Sequence, residues 1–245
     1  MGKIYEALEY ARKKQPESKK RAVLPAVRKN TAPRGPEPDL EEEMVRLFQV
    51  LDPCVSDPKK RILQFIGSKE GEGASTTARQ FASVAARRFG KTVLLLDADQ
   101  KNASQCNYYK INATGWSDAL MNGEPIEKTI QQVGESTLYV SGISENSYSI
   151  AKLFSSPRID VCFEDMKQRF DIIVIDSPAS HASSDGLAVS NKVDGVILVI
   201  EAENTRLPVA EKTKEDIIQS GGKILGILFN RRKFYIPPFI YQRLS

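Results

Sequence analysis

The chain has 245 residues, 41% of them hydrophobic and 27% charged, and carries a formal net charge of +4. That length suits one α/β domain of about 200 residues plus an extension, and the composition is that of an ordinary soluble protein. No apolar run approaches the roughly 18 residues of a membrane helix, and the N-terminus lacks the apolar core of a signal peptide. The expectation is a cytoplasmic protein that meets a membrane only through its surface or a partner. Cys54, Cys106 and Cys162 are odd in number and fit neither a zinc site nor a disulfide frame, so they read as reduced structural thiols. The single histidine, His181, excludes a histidine-rich metal centre and reads as a loop residue.

In chain order, Ile4, Ala7, Leu8 and Ala11 fall at i, i+3, i+4 and i+7, which predicts a short amphipathic helix. Ten Lys/Arg against four Glu between Met1 and Glu37 give that arm a charge of +6 and leave −2 for the remainder. Such an arm can be a solvated linker, or can touch anionic lipid, nucleic acid or an acidic partner. Five of the thirteen prolines lie between Pro16 and Pro38, a composition that buries no core. Asp39 followed by Glu42 reads as a capping box opening a helix with a Leu40, Met44, Leu47, Phe48, Leu51 stripe, ended by Pro53.

From Arg61 onward, apolar strands alternate with helices. "RILQFIG" is followed by a glycine loop and a helix burying Phe81, Val84, Ala85 and Phe89; "KTVLLLDAD" is the next strand, and "TLYVSG" a weaker one. A helix is expected over Pro157 to Arg169, then strands at "DIIVIDSP" and "VDGVILVI", a helix from Pro208 to Gln219, and a last strand at "KILGILFN". Strands apolar throughout and separated by helices imply an α/β fold, a mainly parallel central sheet flanked by helices on both faces. Ligands of such sheets bind beyond the C-terminal strand ends.

Three motifs stand at those ends. "SKEGEGAST", Ser68 to Thr76, follows a strand and opens a helix, the context of a phosphate-binding loop, G-x-x-x-x-G-K-[S/T]. Gly71 and Gly73 allow its tight path, and Ser75 stands at the Mg²⁺-binding hydroxyl position, but Ala74 occupies the lysine position. Asp97 and Asp99, two apart at a strand tip, should share one side of the pleat. They could hold water around Mg²⁺ or accept a proton from a nucleophile. Asp176 ends another buried strand.

These motifs, in this order, resemble the bacterial tyrosine kinases (BY-kinases) of capsule and exopolysaccharide synthesis, within the Min/Par-like P-loop ATPase superfamily. Ser68 to Thr76 is similar to their Walker A motif; Leu94 to Lys101 resembles Walker A′, with Lys101 for arginine; Ile173 to Ala179 resembles Walker B, with Ala179 for the second proline. "TGWSDALMNG", "KLFSSPRID" and the "GILFN" strand ending in Asn230 resemble further family blocks, and "MGKIYEALEYA" with "NRRKFYIPPFIYQRL" resembles an exopolysaccharide-associated branch. The resemblance implies three segments: residues 1–38 as helix and basic linker, 39–230 as a P-loop kinase-like domain, and 231–245 as an aromatic tail. It implies ATP and Mg²⁺ as cofactors. Ser68, Lys69, Gly71, Glu72, Gly73, Ala74, Ser75 and Thr76 would hold phosphate, and Asn230 would face adenine. Ser75, Asp97 and Asp176 would arrange the metal, and Asp97 or Asp99 would assist a tyrosine hydroxyl. It further implies a membrane polysaccharide co-polymerase (chain-length regulator) as partner, recruitment to the inner face of the membrane, and no nucleic acid. Self-association as a dimer or ring would run through Glu43 and Arg46, part of an E-x-x-R-x-x-R helix in which Gln49 replaces the last arginine.

The chain departs from the pattern at Ala74, since loss of one preorganised donor typically costs ~10²–10³ in rate. Lys69, five residues earlier, stands where Min/Par ATPases carry a lysine that reaches phosphate across a dimer. Tyr235 and Tyr241, set among Pro237, Pro238, Phe239 and Ile240, read as packing or partner contacts rather than a phosphorylation tail. Three functions stay open: a tyrosine autokinase, a catalytically inactive scaffold of the polysaccharide machinery, and a Min/Par-type positioning ATPase.

Overall fold

The computed structural model describes residues 38–54, 61–111, 115–144, 148–182 and 184–232. The expected N-terminal helix and linker and the Tyr235/Tyr241 tail lie outside them. The elements are helix α1 (Pro38–Leu51), β1 (Arg61–Gly67), α2 (Ala74–Phe89), β2 (Val93–Asp97), α3 (Gln105–Tyr109), α4 (Trp116–Asn122), β3 (Gln131–Gln132) and β4 (Leu138–Ser141). After them come α5 (Ile150–Ser155), α6 (Pro157–Arg169), β5 (Ile172–Asp176), α7 (Asp185–Ser190), β6 (Gly195–Glu201), α8 (Leu207–Gln219) and β7 (Ile224–Asn230). Helix α1 starts at Pro38, one residue ahead of the expected Asp39 cap. Proline is suited to a first helical position because its φ is preset and it has no N–H to leave unpaired.

The seven strands form one sheet in the order β3-β4-β2-β5-β1-β6-β7. All neighbours are parallel except the short β3–β4 pair at one edge. Strands β1, β2 and β5 are buried along their whole length, because side chains of both parities find a helical layer. Leu63, Phe65, Leu95 and Val174 pack with Met44, Phe48 and Leu51 of α1 and Phe81, Val84 and Ala85 of α2. The intervening Ile62, Leu94, Leu96, Ile173 and Ile175 pack on the other face with Trp116, Leu153, Phe154, Phe163 and Met166. Ile66, Val196 and Leu198 continue that layer under Ala210 and Ile217 of α8. Fully burying one such aliphatic side chain stabilises the fold by about 1.5–3 kcal/mol, so this two-faced core fixes the strand ends that carry the polar motifs.

Strand β1 lies between β5 and β6, so the connections leaving its two sides diverge above it. The carboxyl ends of β1, β2 and β5 border that crevice, the expected ligand position in an open α/β sheet. Among the described residues, no helix is long and apolar enough to cross a membrane.

Candidate nucleotide site

The loop between β1 and α2 turns through two left-handed glycines, Gly71 at φ 85° and Gly73 at φ 91°. A side chain on Gly73 would also collide with the amide of Asn230. The N-terminus of α2 begins at Ala74, and no side chain caps it. Its free N–H groups and partial positive charge therefore face outward, where an anion is favoured. A cavity of about 310 Å³ opens there, lined by residues 69–76 together with Asp99, Asn102, Ser177 and Arg231.

Two side chains brace this loop from within. The Glu72 carboxylate is buried and accepts the N–H groups of Ser68 at 2.6 Å and Lys69 at 3.0 Å. The Thr205 hydroxyl, beyond β6, donates to its other oxygen. Asn230 donates its amide to the Glu72 carbonyl at 2.8 Å, while its side-chain oxygen accepts the Arg231 N–H at 2.9 Å. Both residues thus hold the loop's backbone; neither projects a free side-chain group from it. Ser68 is fully buried at the base of the loop. Ala74 contributes a methyl to the wall, and the cations on the lining are Lys69 and Arg231, the latter paired with Glu201 at 3.2 Å.

The three acids have different surroundings. Asp97 and Asp176 are register partners at the ends of β2 and β5, both with no exposed surface. Asp97 accepts the N–H of Asp99 on one oxygen at 3.1 Å and of Gln105 on the other at 3.0 Å. Asp99 is not on the pleat with Asp97, because β2 ends at Asp97. Asp99 instead turns the following loop, accepting the N–H groups of Lys101 and Asn102, each at 3.1 Å. Of the three, only Asp99 lines the cavity. Asp176 receives the Gln105 amide at 2.6 Å on one oxygen, whereas its Oδ1 is buried and has no hydrogen-bond partner. Burial pushes the Asp97 carboxyl well above the usual range, and the facing Asp176 charge adds to this. Burial also raises Asp176, and the Asp99 charge adds to this; the Gln105 amide, the Ser75 hydroxyl close to the carboxylate but short of hydrogen-bond geometry, and the Arg79 charge hold it down.

An orphaned carboxylate oxygen beside the Ser75 hydroxyl, behind an anion-binding helix end, fits Mg²⁺ with its nucleotide. Among the described residues no group of three or more His, Cys, Asp or Glu is placed to hold a metal by itself. Mg²⁺ suits that setting, since it keeps water ligands and takes one or two protein oxygens together with substrate phosphates. Ser75 and Asp176 would hold it; Asp97, expected to share in this, has both oxygens already accepting N–H bonds.

Gln105 and Arg79 stand in none of the motifs legible in the sequence, and Trp116 stands only in the "TGWSDALMNG" block. Gln105 joins Ser75, Asp97 and Asp176; Arg79 donates to Gln105 at 2.9 Å; the Trp116 indole N–H donates to the Asp97 carbonyl at 2.7 Å. Arg79 sits one turn after Ser75 on α2, a periodicity that would have aimed it at the acids. The oligomer candidates Glu43 and Arg46 are exposed on α1, and Arg46 faces Glu42 at 4.0 Å rather than Glu43.

A glycine-turned strand–loop–helix with an uncapped helix end, and buried acids closing β2 and β5 behind it, defines the class: a P-loop α/β domain. A family profile described as an AAA domain matches residues 60–212. "Tyrosine-protein kinase CpsD" of Streptococcus agalactiae serotype III is 32% identical over 178 residues, covering 72% of this chain and 76% of that one. "Tyrosine-protein kinase YwqD" of Bacillus subtilis is 30% identical over 72% of this chain and 75% of its own. The kinase domain of Escherichia coli tyrosine kinase ETK superposes with a TM-score of 0.72 at 20% identity, covering 91% of each chain. The septum site-determining protein MinD of Pyrococcus horikoshii, complexed with Mg-ADP, superposes at 0.57 with 22% identity, over 76% of this chain and 77% of that one. The chain belongs to the bacterial tyrosine kinase family, on the P-loop ATPase fold.

Proposed function

We propose that the chain binds ATP with Mg²⁺ at the 68–76 loop and acts as a BY-kinase-type protein of exopolysaccharide or capsule assembly. The observation that carries this reading is the pairing of an uncapped, glycine-turned helix end with the orphaned Asp176 oxygen, in a chain whose relatives are named tyrosine kinases. Bound Mg²⁺ would neutralise phosphate charge and polarise the transferred phosphoryl group. The loop's N–H groups would orient the phosphates. Asp99, the acid on the cavity wall, would take the proton from an incoming tyrosine hydroxyl as its oxygen bonds to the γ-phosphorus and ADP leaves. Asp97, with both oxygens already accepting N–H bonds, would keep the β2 end in place.

Ala74 favours a second reading, a scaffold that binds nucleotide but turns it over slowly. The backbone cradle does not depend on the lysine, whereas the phosphoryl-transfer barrier does. In either case the unit is residues 39–230, recruited to the inner face of the membrane by a chain-length regulator, with the basic arm 1–38 beside the lipid and Glu43 and Arg46 of α1 at a contact between copies. Positioning of cell components, as by Min/Par ATPases, is the less supported function. Incubation of the full chain with labelled ATP and Mg²⁺ tests these readings. Phosphotyrosine on the protein supports the kinase. Nucleotide binding without phosphotyrosine, even with a co-polymerase tail added, supports the scaffold.

A further inference from the structure

The side chain of Gln105 has no exposed surface, yet it belongs to none of the motifs that define the site. It sits at the first residue of α3, and both polar atoms of its side chain and its backbone N–H are committed. Its Nε2 donates to Asp176 Oδ2 at 2.6 Å and to the Ser75 carbonyl at 3.1 Å. Its Oε1 accepts Arg79 Nε at 2.9 Å, and its backbone N–H donates to Asp97 Oδ2 at 3.0 Å. The amide can face only one way, because a carboxylate and a carbonyl both demand the NH₂ group and the guanidinium demands the oxygen. Arg79 is fixed in turn, its guanidinium stacked over the Tyr108 ring at 3.8 Å.

We propose that Gln105 is a positioning residue for the cation of the nucleotide site: it clamps one oxygen of Asp176 so that the other, Oδ1, is presented toward the Ser75 end of α2. One bond fixes the carboxylate rotamer, the second ties it to the helix that carries Ser75, and Arg79 with Tyr108 keeps the clamp from turning. Hydrogen bonds to charged groups are the stronger ones, and outer partners that orient a metal-holding carboxylate typically change metal affinity 10–100-fold when removed. Without the clamp, Asp176 could rotate to satisfy its orphaned oxygen elsewhere, and Arg79 could pair with the acid directly. Nucleotide contacts made by the loop's backbone would be untouched.

This inference rests on the ATP·Mg²⁺ reading above and is tested so that the two can fail separately. The chain's one tryptophan, Trp116, is bonded to the Asp97 carbonyl, which makes its fluorescence a built-in reporter of the acid cluster. Binding of ADP to the full chain is followed at increasing Mg²⁺ for the unmodified protein, Gln105→Met and Arg79→Met, with circular dichroism recording the fold. The expected result is a 10–100-fold rise in the Mg²⁺ half-saturation for Gln105→Met and a smaller rise for Arg79→Met, with Mg²⁺-free ADP affinity unchanged in both. Equal Mg²⁺ half-saturation in folded Gln105→Met, or equal loss of ADP affinity with and without Mg²⁺, overturns the clamp. If Gln105→Met does not fold, an unchanged half-saturation in Arg79→Met overturns it. Absence of any Mg²⁺ effect on ADP binding by the unmodified chain overturns the underlying reading as well.

Discussion

Asp97 and Asp176 close neighbouring strands as direct register partners, two carboxylates side by side with no exposed surface. Each charge raises the cost of the other, since burial and like charge both disfavour ionisation. The pair is therefore a source of instability that a bound cation would relieve, as functional sites commonly trade stability for activity.

Asp176→Asn should accordingly stabilise the ligand-free protein at neutral pH, by on the order of 3 kcal/mol for a carboxyl raised to about 6, while removing its Mg²⁺ response. The sign follows from the raised carboxyl. Below pH 4 both folded and unfolded chains are protonated at this position and the variant has no advantage. As pH rises from about 4 to about 6, where burial has pushed the Asp176 carboxyl, the native protein loses this stability and the variant does not. Urea midpoints measured at pH 4 and pH 7 check both the direction and the window.

Glu72 holds three donors: the N–H groups of Ser68 and Lys69 and the Thr205 hydroxyl. Glu72→Gln keeps a carbonyl for the Ser68 and Lys69 N–H groups but removes their charged acceptor, and turns an NH₂ group toward the Thr205 hydroxyl, which already accepts the Glu201 N–H. It should cost about 1.5–3 kcal/mol, the range for a hydrogen bond to a charged group. The loss should appear as faster amide exchange over residues 68–73, measured by hydrogen–deuterium exchange, with β5 and β6 unaffected.

Ala74→Lys places an ammonium at a position that lines the cavity. ATP turnover should rise on the order of 10²-fold, with a smaller gain in ADP affinity. Steady-state phosphate release measures the first and calorimetry the second.

Lys69 is exposed at the mouth of the same cavity. If it supplies charge in place of the lysine absent at position 74, Lys69→Ala should lower phosphate release by at least tenfold. A rate equal to that of the unmodified chain would leave Lys69 a solvated loop residue.

Much of this architecture was legible from particular residues. Helix α6 begins and ends where Pro157 and Arg169 predict, because proline opens it and the Ser156 hydroxyl caps it. The apolar runs of β1, β2, β5 and β6 announce a sheet covered on both faces. Helices α3, α4, α5 and α7 are five to seven residues long, too short to show a helical period, and are held by tertiary contacts such as the edge-on packing of Trp116 against Phe154. The glycines and Ser75 of the loop were readable because their spacing follows from backbone geometry. Gln105 was not, because its partners come from β5, α2 and β2, and only the folded chain brings them together. Asp99 misled for a related reason: period-two alternation holds only while a strand lasts, and β2 stops two residues earlier.

The 68–76 loop and the Asp176 end of β5 are expected to act as one Mg²⁺-dependent nucleotide site despite Ala74. Calorimetric titration of the full chain with ATP, in Mg²⁺ and again in EDTA, tests it most directly. The expected result is one site per chain that tightens by at least tenfold when Mg²⁺ is present. No binding up to millimolar ATP in either condition, or equal affinity in both, would contradict it.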